Sequence, residues 1–215
     1  MPCYHPITVK KGEKWKTKRI GQSVPCNRCI GCRLERSRQW ANRIVNETKM
    51  HKSSLFLTMT YRDEELPMSV SKSTGNVRAT LKKRDLQLFW KRLRKRTGAN
   101  IRYFGCGEYG DKYGRPHYHA CVFGIDFKDK KLRTIKNGNS LYRSSELNDI
   151  WSHGYVDIGS VTFESAAYVA RYTMKKHMGK DRTYYEDEGI APEFASMSLR
   201  PGIGATWFDK YQSDV

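Results

Sequence analysis

The chain has 215 residues, with 40 Lys and Arg against 22 Asp and Glu and a formal net charge of +18. That length suits one domain, or one with a small appendage, and is ample for a buried core. The charge points to a polyphosphate partner, DNA or RNA. No run is apolar enough to span a membrane and no signal peptide precedes Lys10 and Lys11, so a membrane partner is not expected. In the cytosolic setting this implies, six cysteines read as metal ligands or free thiols before disulfides.

Residues 1–32 are irregular and hold Pro25-Cys26-Asn27-Arg28-Cys29-Ile30-Gly31-Cys32. C-x₂-C-x₂-C offers three of the four thiolates that a structural Zn²⁺ site needs. Cys3 is the candidate fourth ligand beside Cys26, Cys29 and Cys32, since Cys106 and Cys121 fall in expected strands; His5 is next. A segment so poor in apolar residues needs a staple. An iron–sulfur cluster, or three free thiols at a turn, stay open as alternatives.

A helix is predicted over 33–50, where Leu34, Ala41, Ile44, Val45 and Thr48 approximate an apolar stripe and Arg33, Arg36, Arg38 and Arg43 charge other faces. The β-rich run 55–61 reads as a strand. Residues 62–81, with Pro67, Gly75, Asn76 and several serines, read as a loop. A second helix is predicted over 82–96, with Leu86, Phe89, Trp90 and Leu93 at i, i+3, i+4 and i+7. Its basic residues face a single acid, Asp85. Lys82, Lys83, Arg84, Lys91, Arg92, Arg94 and Lys95, with Arg171 further on, are candidate DNA contacts, against the alternative of a merely solvated face.

A hairpin follows, with strands over 101–108 and 117–124 joined by a turn-rich connection. Residues 125–143 are polar and basic and carry no predicted element. Ser144 or Ser145 caps a short helix ending at Trp151, and 155–161 alternates like a strand. Thr162, with Ser165 three residues later, suits an N-cap for a helix to about Met178, with Gly179 at C′. Helices interleaved with an antiparallel hairpin give an α+β fold: a central antiparallel sheet with flanking helices. The expected division is a cysteine-rich segment at 1–32, a core at 33–179 and a C-terminal extension at 180–215.

His117-Tyr118-His119 puts two imidazoles on one side of a strand, because the side-chain period there is 2. The hairpin can bring Glu108 across from them, about 5 Å away. Two imidazoles and a carboxylate with open positions suit Mg²⁺ or Mn²⁺ in phosphoryl chemistry, and would also accept Zn²⁺. The alternative is two surface-strand histidines beside an unrelated glutamate. Tyr168, Tyr172 and Lys175 fall on one helical stripe at i, i+4 and i+7. A phenol is a poor nucleophile at neutral pH and needs a polarised phosphate and a positive field, which the metal, Arg171 and Lys175 could supply. The alternative here is an amphipathic helix with tyrosines at its core boundary.

Taken together these motifs resemble the HUH endonuclease superfamily, and within it the replication initiators of Microviridae phages, closest to the gokushovirus branch. Phe56-Leu57-Thr58-Met59-Thr60-Tyr61 looks like the first motif, a strand next to the site. Gly107-Glu108-Tyr109-Gly110 with Arg115-Pro116-His117-Tyr118-His119 is similar to the metal motif, and Tyr168-x₃-Tyr172-x₂-Lys175 to the two-tyrosine motif. The early cysteine cluster and Arg200-Pro201-Gly202-Ile203-Gly204 look like that branch too. The resemblance implies a rolling-circle initiator in the host bacterial cytoplasm. Its metal would bind the scissile phosphate of the single-stranded origin. One tyrosine would attack, leaving a 5′-phosphotyrosine and a 3′-OH primer, and the second would cleave the regenerated origin so that the circle closes. Its candidate partners are single-stranded phage DNA and the host replicative helicase and polymerase. The competing readings are a non-catalytic zinc-containing DNA-binding protein and an HUH transposase or relaxase.

Overall fold

The computed structural model describes residues 3–8, 21–111, 113–171 and 183–214. A short ribbon of β1 (Ile7–Thr8) and β2 (Ser23–Val24) leads into helix α1 (Ile30–Thr48). β3 (Ser54–Tyr61) follows, then a ribbon of β4 (Met68–Val70) and β5 (Val77–Ala79), and helix α2 (Lys83–Thr97). The hairpin of β6 (Arg102–Tyr109) and β7 (Pro116–Phe123) comes next, and then another, β8 (Lys131–Lys136) with β9 (Asn139–Arg143). α3 (Ser145–Trp151), β10 (Gly154–Ser160), α4 (Phe163–Arg171), α5 (Tyr184–Asp187), β11 (Phe194–Met197) and α6 (Ala205–Tyr211) complete the order.

One seven-stranded antiparallel sheet runs β11-β6-β7-β3-β10-β9-β8. Helices flank it, so the fold is the expected α+β architecture. β3 at its centre alternates strictly. Leu55, Leu57, Met59 and Tyr61 are buried on one face, and Phe56, Thr58 and Thr60 are half-buried on the other. The first face packs against α2 and α3 through Leu86, Phe89, Trp90, Leu93, Leu147 and Trp151. The second packs against α1 and α4 through Ala41, Ile44, Ala166 and Val169, with Phe104, Cys106, Cys121 and Phe123 beneath them. Small residues at 41, 166 and 167 let α1 and α4 approach closely, and the Ser37 hydroxyl donates to the Ala167 carbonyl at 3.3 Å. Tyr118 points to the α2 face, where its hydroxyl accepts from Lys82 N at 3.0 Å at the start of α2.

Several expectations need correction. The run 62–81, read as a loop, contains the β4–β5 ribbon. Residues 125–143 hold the β8–β9 hairpin, whose turn is Asn137-Gly138 with φ of 50° and 76°. Asn-Gly is the usual two-residue hairpin turn, so a signal was present. Periodicity gives no sign of β8, because every one of its residues is exposed, and a strand with no buried face shows no apolar alternation. β11, inside 180–215, pairs with β6 and so joins the central sheet, and α1 starts inside 1–32. Leu34 is 45% exposed; the buried stripe of α1 is Ser37, Ala41, Ile44 and Glu47. Thr162 behaves as expected: its Oγ1 accepts from Ser165 N at 3.2 Å, while Ser165 Oγ accepts from Thr162 N at 2.8 Å. The helix is described only to Arg171; Tyr172 and Lys175 lie outside the described residues.

Candidate metal and tyrosine site

The β6–β7 register places Glu108 opposite His117 and Cys106 opposite His119. Both imidazoles and the carboxylate therefore project from the α4 face. His117 Nε2 lies 2.7 Å and His119 Nε2 2.9 Å from the same oxygen, Glu108 Oε1. From α4, the Tyr168 hydroxyl donates to that oxygen at 2.7 Å. Gly110, in the turn after β6, passes so close that a Cβ there would sit 3.2 Å from His117 Cε1. Sequence reasoning brought these four residues together, and the structure does as well.

The outer nitrogens are held too. His117 Nδ1 is 3.0 Å from the Arg115 carbonyl, and His119 Nδ1 is 3.0 Å from Thr58 Oγ1 on β3. Phe56, two residues earlier on β3, stacks on the His119 ring at 5.7 Å, and Tyr168 meets it edge-on at 5.1 Å. The first-motif resemblance places this strand next to the site, but the individual contacts of Phe56 and Thr58 could not be read from sequence, because only the β3–β7 pairing sets Thr58 opposite His119.

Burial pushes the Glu108 carboxyl up, but hydrogen bonds from His117 and His119 outweigh it and hold it at about 2. Burial lowers His119, whereas at His117 the Glu108 hydrogen bond overcomes burial and raises it. Burial and the carboxylate together push the Tyr168 phenol upward. Glu108 is 1% exposed, yet its second oxygen, Oε2, has no hydrogen-bond partner among the described residues. Three donors crowd one oxygen while the other is orphaned in the interior, an arrangement that a bound cation or water would satisfy. With two inward nitrogens beside it, the donor set fits Mg²⁺, Mn²⁺ or Zn²⁺.

A second cluster sits where the chain enters α1. Cys29 is the N-cap of α1 and its sulfur accepts from Cys32 N at 3.5 Å. Cys29 Sγ is 3.8 Å from Cys3 Sγ, and Cys26 Sγ is 3.9 Å from Cys32 Sγ. Four sulfurs arranged tetrahedrally at about 2.3 Å from Zn²⁺ stand roughly 3.8 Å apart, so the spacing fits. Backbone N–H groups of Cys32 and Tyr4 lower Cys29 to about 6, while burial and the neighbouring thiols push Cys32 to about 12. Crowded thiols that cannot all ionise alone are the state a metal relieves. Cys3 is thus the fourth member of the cluster, and His5 is not in it. Cys106 and Cys121 are buried in the core.

The candidate DNA contacts are placed differently. α2 packs on the sheet face opposite the Glu108–His117–His119 cluster. Lys82, Lys83, Arg84, Lys91 and Lys95 are exposed there. Arg92 and Arg94 donate to the carbonyls of Trp151 and Ile101, at 2.8 and 3.2 Å. Arg171 is exposed on α4, the site's own face.

Sheet, clusters and charge define a basic α+β protein with two candidate metal centres. The profile of the replication-associated protein ORF2/G2P family matches residues 54–177, from β3 through the two-tyrosine motif. The chain belongs to that family and is a Microviridae-like replication protein. It is 36% identical over 234 residues to replication-associated protein VP4 of Bdellovibrio phage phiMH2K, covering 100% of this chain and 70% of that one. It is 36% identical over 233 residues to replication-associated protein ORF2 of Spiroplasma virus 4, covering 97% and 70%. The likeness to replication-associated protein ORF4 of Chlamydia phage 1 is 32% over 170 residues, covering 75% and 40%. No solved structure matches. Among the described residues no helix is long and apolar enough to cross a membrane.

Proposed function

We propose that the protein initiates replication as an HUH endonuclease, cutting single-stranded phage origin DNA by tyrosine attack and later rejoining it. What carries this is the Tyr168 hydroxyl, 2.7 Å from Glu108 Oε1 at the centre of the histidine cluster. A phosphodiester seated at the cluster has its phosphorus within reach of that hydroxyl. A Mg²⁺ or Mn²⁺ ion held by Glu108, His117 and His119 would polarise a non-bridging phosphate oxygen and offset its developing charge.

Tyr168 Oη forms a bond to phosphorus as the bond from phosphorus to the 3′-oxygen breaks. The products are a 5′-phosphotyrosine and a free 3′-OH that can prime synthesis. One phosphodiester replaces another, so a later 3′-OH can reverse the step and reseal the strand without an external energy source. Glu108 orients the phenol but does not deprotonate it, because a carboxyl held at about 2 is far too weak a base. The phenolic proton leaves to water or to the departing 3′-oxygen. Tyr172 is the second nucleophile and Lys175 the cation on the same stripe; their i, i+4, i+7 spacing from Tyr168 supports this. The cysteine cluster is a structural Zn²⁺ site that fixes the start of α1.

Single-stranded circular origin DNA incubated with the protein and Mn²⁺ tests the mechanism. Wild type should form a covalent adduct that mass spectrometry places on Tyr168 or Tyr172. Tyr168→Phe or Tyr172→Phe alone should still couple but fail to complete the cleave-and-rejoin cycle, and the double variant should form no adduct while still binding DNA. An adduct from the double variant, or one mapped to Tyr118, overturns it.

A further inference from the structure

β3 contributes a residue to the site that the mechanism above leaves unused. Thr58 is half-buried, lies across the ladder from His119, and places Oγ1 3.0 Å from Nδ1 of that ring. The other histidine has a different kind of partner. His117 Nδ1 faces the Arg115 carbonyl, which only accepts, so His117 always carries a proton on Nδ1. A hydroxyl both donates and accepts. While His119 Nε2–H points at Glu108, its Nδ1 is a lone pair and the Thr58 hydroxyl donates to it. For Nε2 to offer its lone pair to an ion, the proton must sit on Nδ1, and the same hydroxyl then accepts it.

We propose that Thr58 is the positioning residue for His119, holding its ring and accommodating the tautomer change by which Nε2 becomes a metal ligand. This rests on the proposed metal role of the Glu108–His117–His119 cluster. No net proton is gained or lost by the ring, which exchanges one neutral tautomer for the other as the hydroxyl rotates. Phe56, stacked on the same ring, fixes its plane, and Thr58 fixes its rotation while serving either tautomer. Outer partners of metal-bound histidines typically contribute 10–100-fold in metal affinity.

The test uses the full chain with Thr58→Val and Thr58→Ser, titrated with Mn²⁺ and followed by electron paramagnetic resonance of the free ion. Valine keeps the β-branched shape and strand preference but removes the hydroxyl; serine keeps it. Thr58→Val should bind Mn²⁺ about 10–100-fold more weakly and regain nicking at high Mn²⁺, staying folded without metal although the lost hydrogen bond to buried His119 lowers its melting temperature by a few degrees. Thr58→Ser should stay close to wild type. Side-chain ¹⁵N shifts of His119 should report the proton on Nε2 without metal and on Nδ1 with Mg²⁺. Wild-type affinity in Thr58→Val, or equal loss in the serine variant, overturns the role of Thr58 alone. Mn²⁺ binding by wild type that His117→Ala and His119→Ala leave intact overturns the metal site itself.

Discussion

Glu108 Oε1 carries three partners and Oε2 none, and the four cysteine sulfurs lie within 4.8 Å of one another. At both places donor atoms converge beyond what neutral hydrogen bonding explains. For the cysteines the outcome is measurable. Purified protein should contain about one Zn²⁺ per chain, and Cys29→Ser should lower both the zinc content and the melting temperature, because it removes a thiolate ligand while the serine hydroxyl can still cap α1. Elemental analysis showing neither zinc nor iron would leave four free thiols. Residue types and spacing made most of this legible: strand period gave His117 with His119, helix period gave Tyr168 with Tyr172, and C-x₂-C-x₂-C gave the thiols. Thr58 lay in the strand expected next to the site, but its particular link to His119 was not legible because it runs across a strand pair sixty-one residues apart in sequence.

The element most conspicuous in the sequence as a DNA contact, α2, faces away from the site, while the β8–β9 hairpin, where no element is predicted, extends the site's own sheet face. On the site's face, β3, β10, β9 and β8 extend past α4 with half-exposed Thr58 and Thr60, then Tyr155, 50% exposed. Arg143 lies 4.6 Å above the Tyr155 ring, and Arg133 and Arg143 share Asp157. Four strand spacings separate β7 from β8, roughly 19 Å, of open, net-basic sheet contiguous with the cluster. A strand entering there meets an aromatic ring and cations, the usual combination for unpaired bases and phosphates. Arg133→Ala/Arg143→Ala should therefore weaken single-stranded DNA binding about tenfold and reduce the salt slope by about 1.4, two phosphate contacts' worth. Lys83→Ala/Lys91→Ala on α2 should change affinity much less. Fluorescence anisotropy across a salt series decides, and a larger effect from α2 would return the DNA path to that helix. A linear run of basic residues is visible in any sequence; a patch spread over residues 131–157 exists only after the strands pair.

At the scale of the whole molecule, one buried carboxylate joins parts of the chain far apart in sequence. Glu47 on α1 is 0% exposed and accepts from Arg102 on β6, from Gly204 N at 2.6 Å and, through Nε2, from His51 at 3.0 Å. Arg102 also donates to the carbonyls of Pro201 and Gly202. The Arg200-Pro201-Gly202-Ile203-Gly204 motif thus serves as a clasp: its backbone is read by Glu47 and Arg102, and Ile203 enters the α1–α4 core. Burial raises the Glu47 carboxyl, but the bond from Arg102, the Gly204 N–H and His51 outweigh it, and the net shift is downward. A carboxyl lower in the folded than in the unfolded chain, where it sits near 4.3, stabilises the fold above that value. The contribution is lost as pH falls through the folded pKa. Glu47→Gln keeps the shape but leaves Arg102 without its counter-charge, so it should cost about 3 kcal/mol at pH 7. For a chain of this size that is roughly a 6–12 °C fall in melting temperature. The gap between wild type and Glu47→Gln should then narrow as pH falls below about 4.3, because protonation removes from wild type the charge the variant already lacks. Thermal melts of both proteins from pH 7 to pH 3 measure this directly, and a gap that stays constant over the range would show that Glu47 holds the clasp by shape and not by charge.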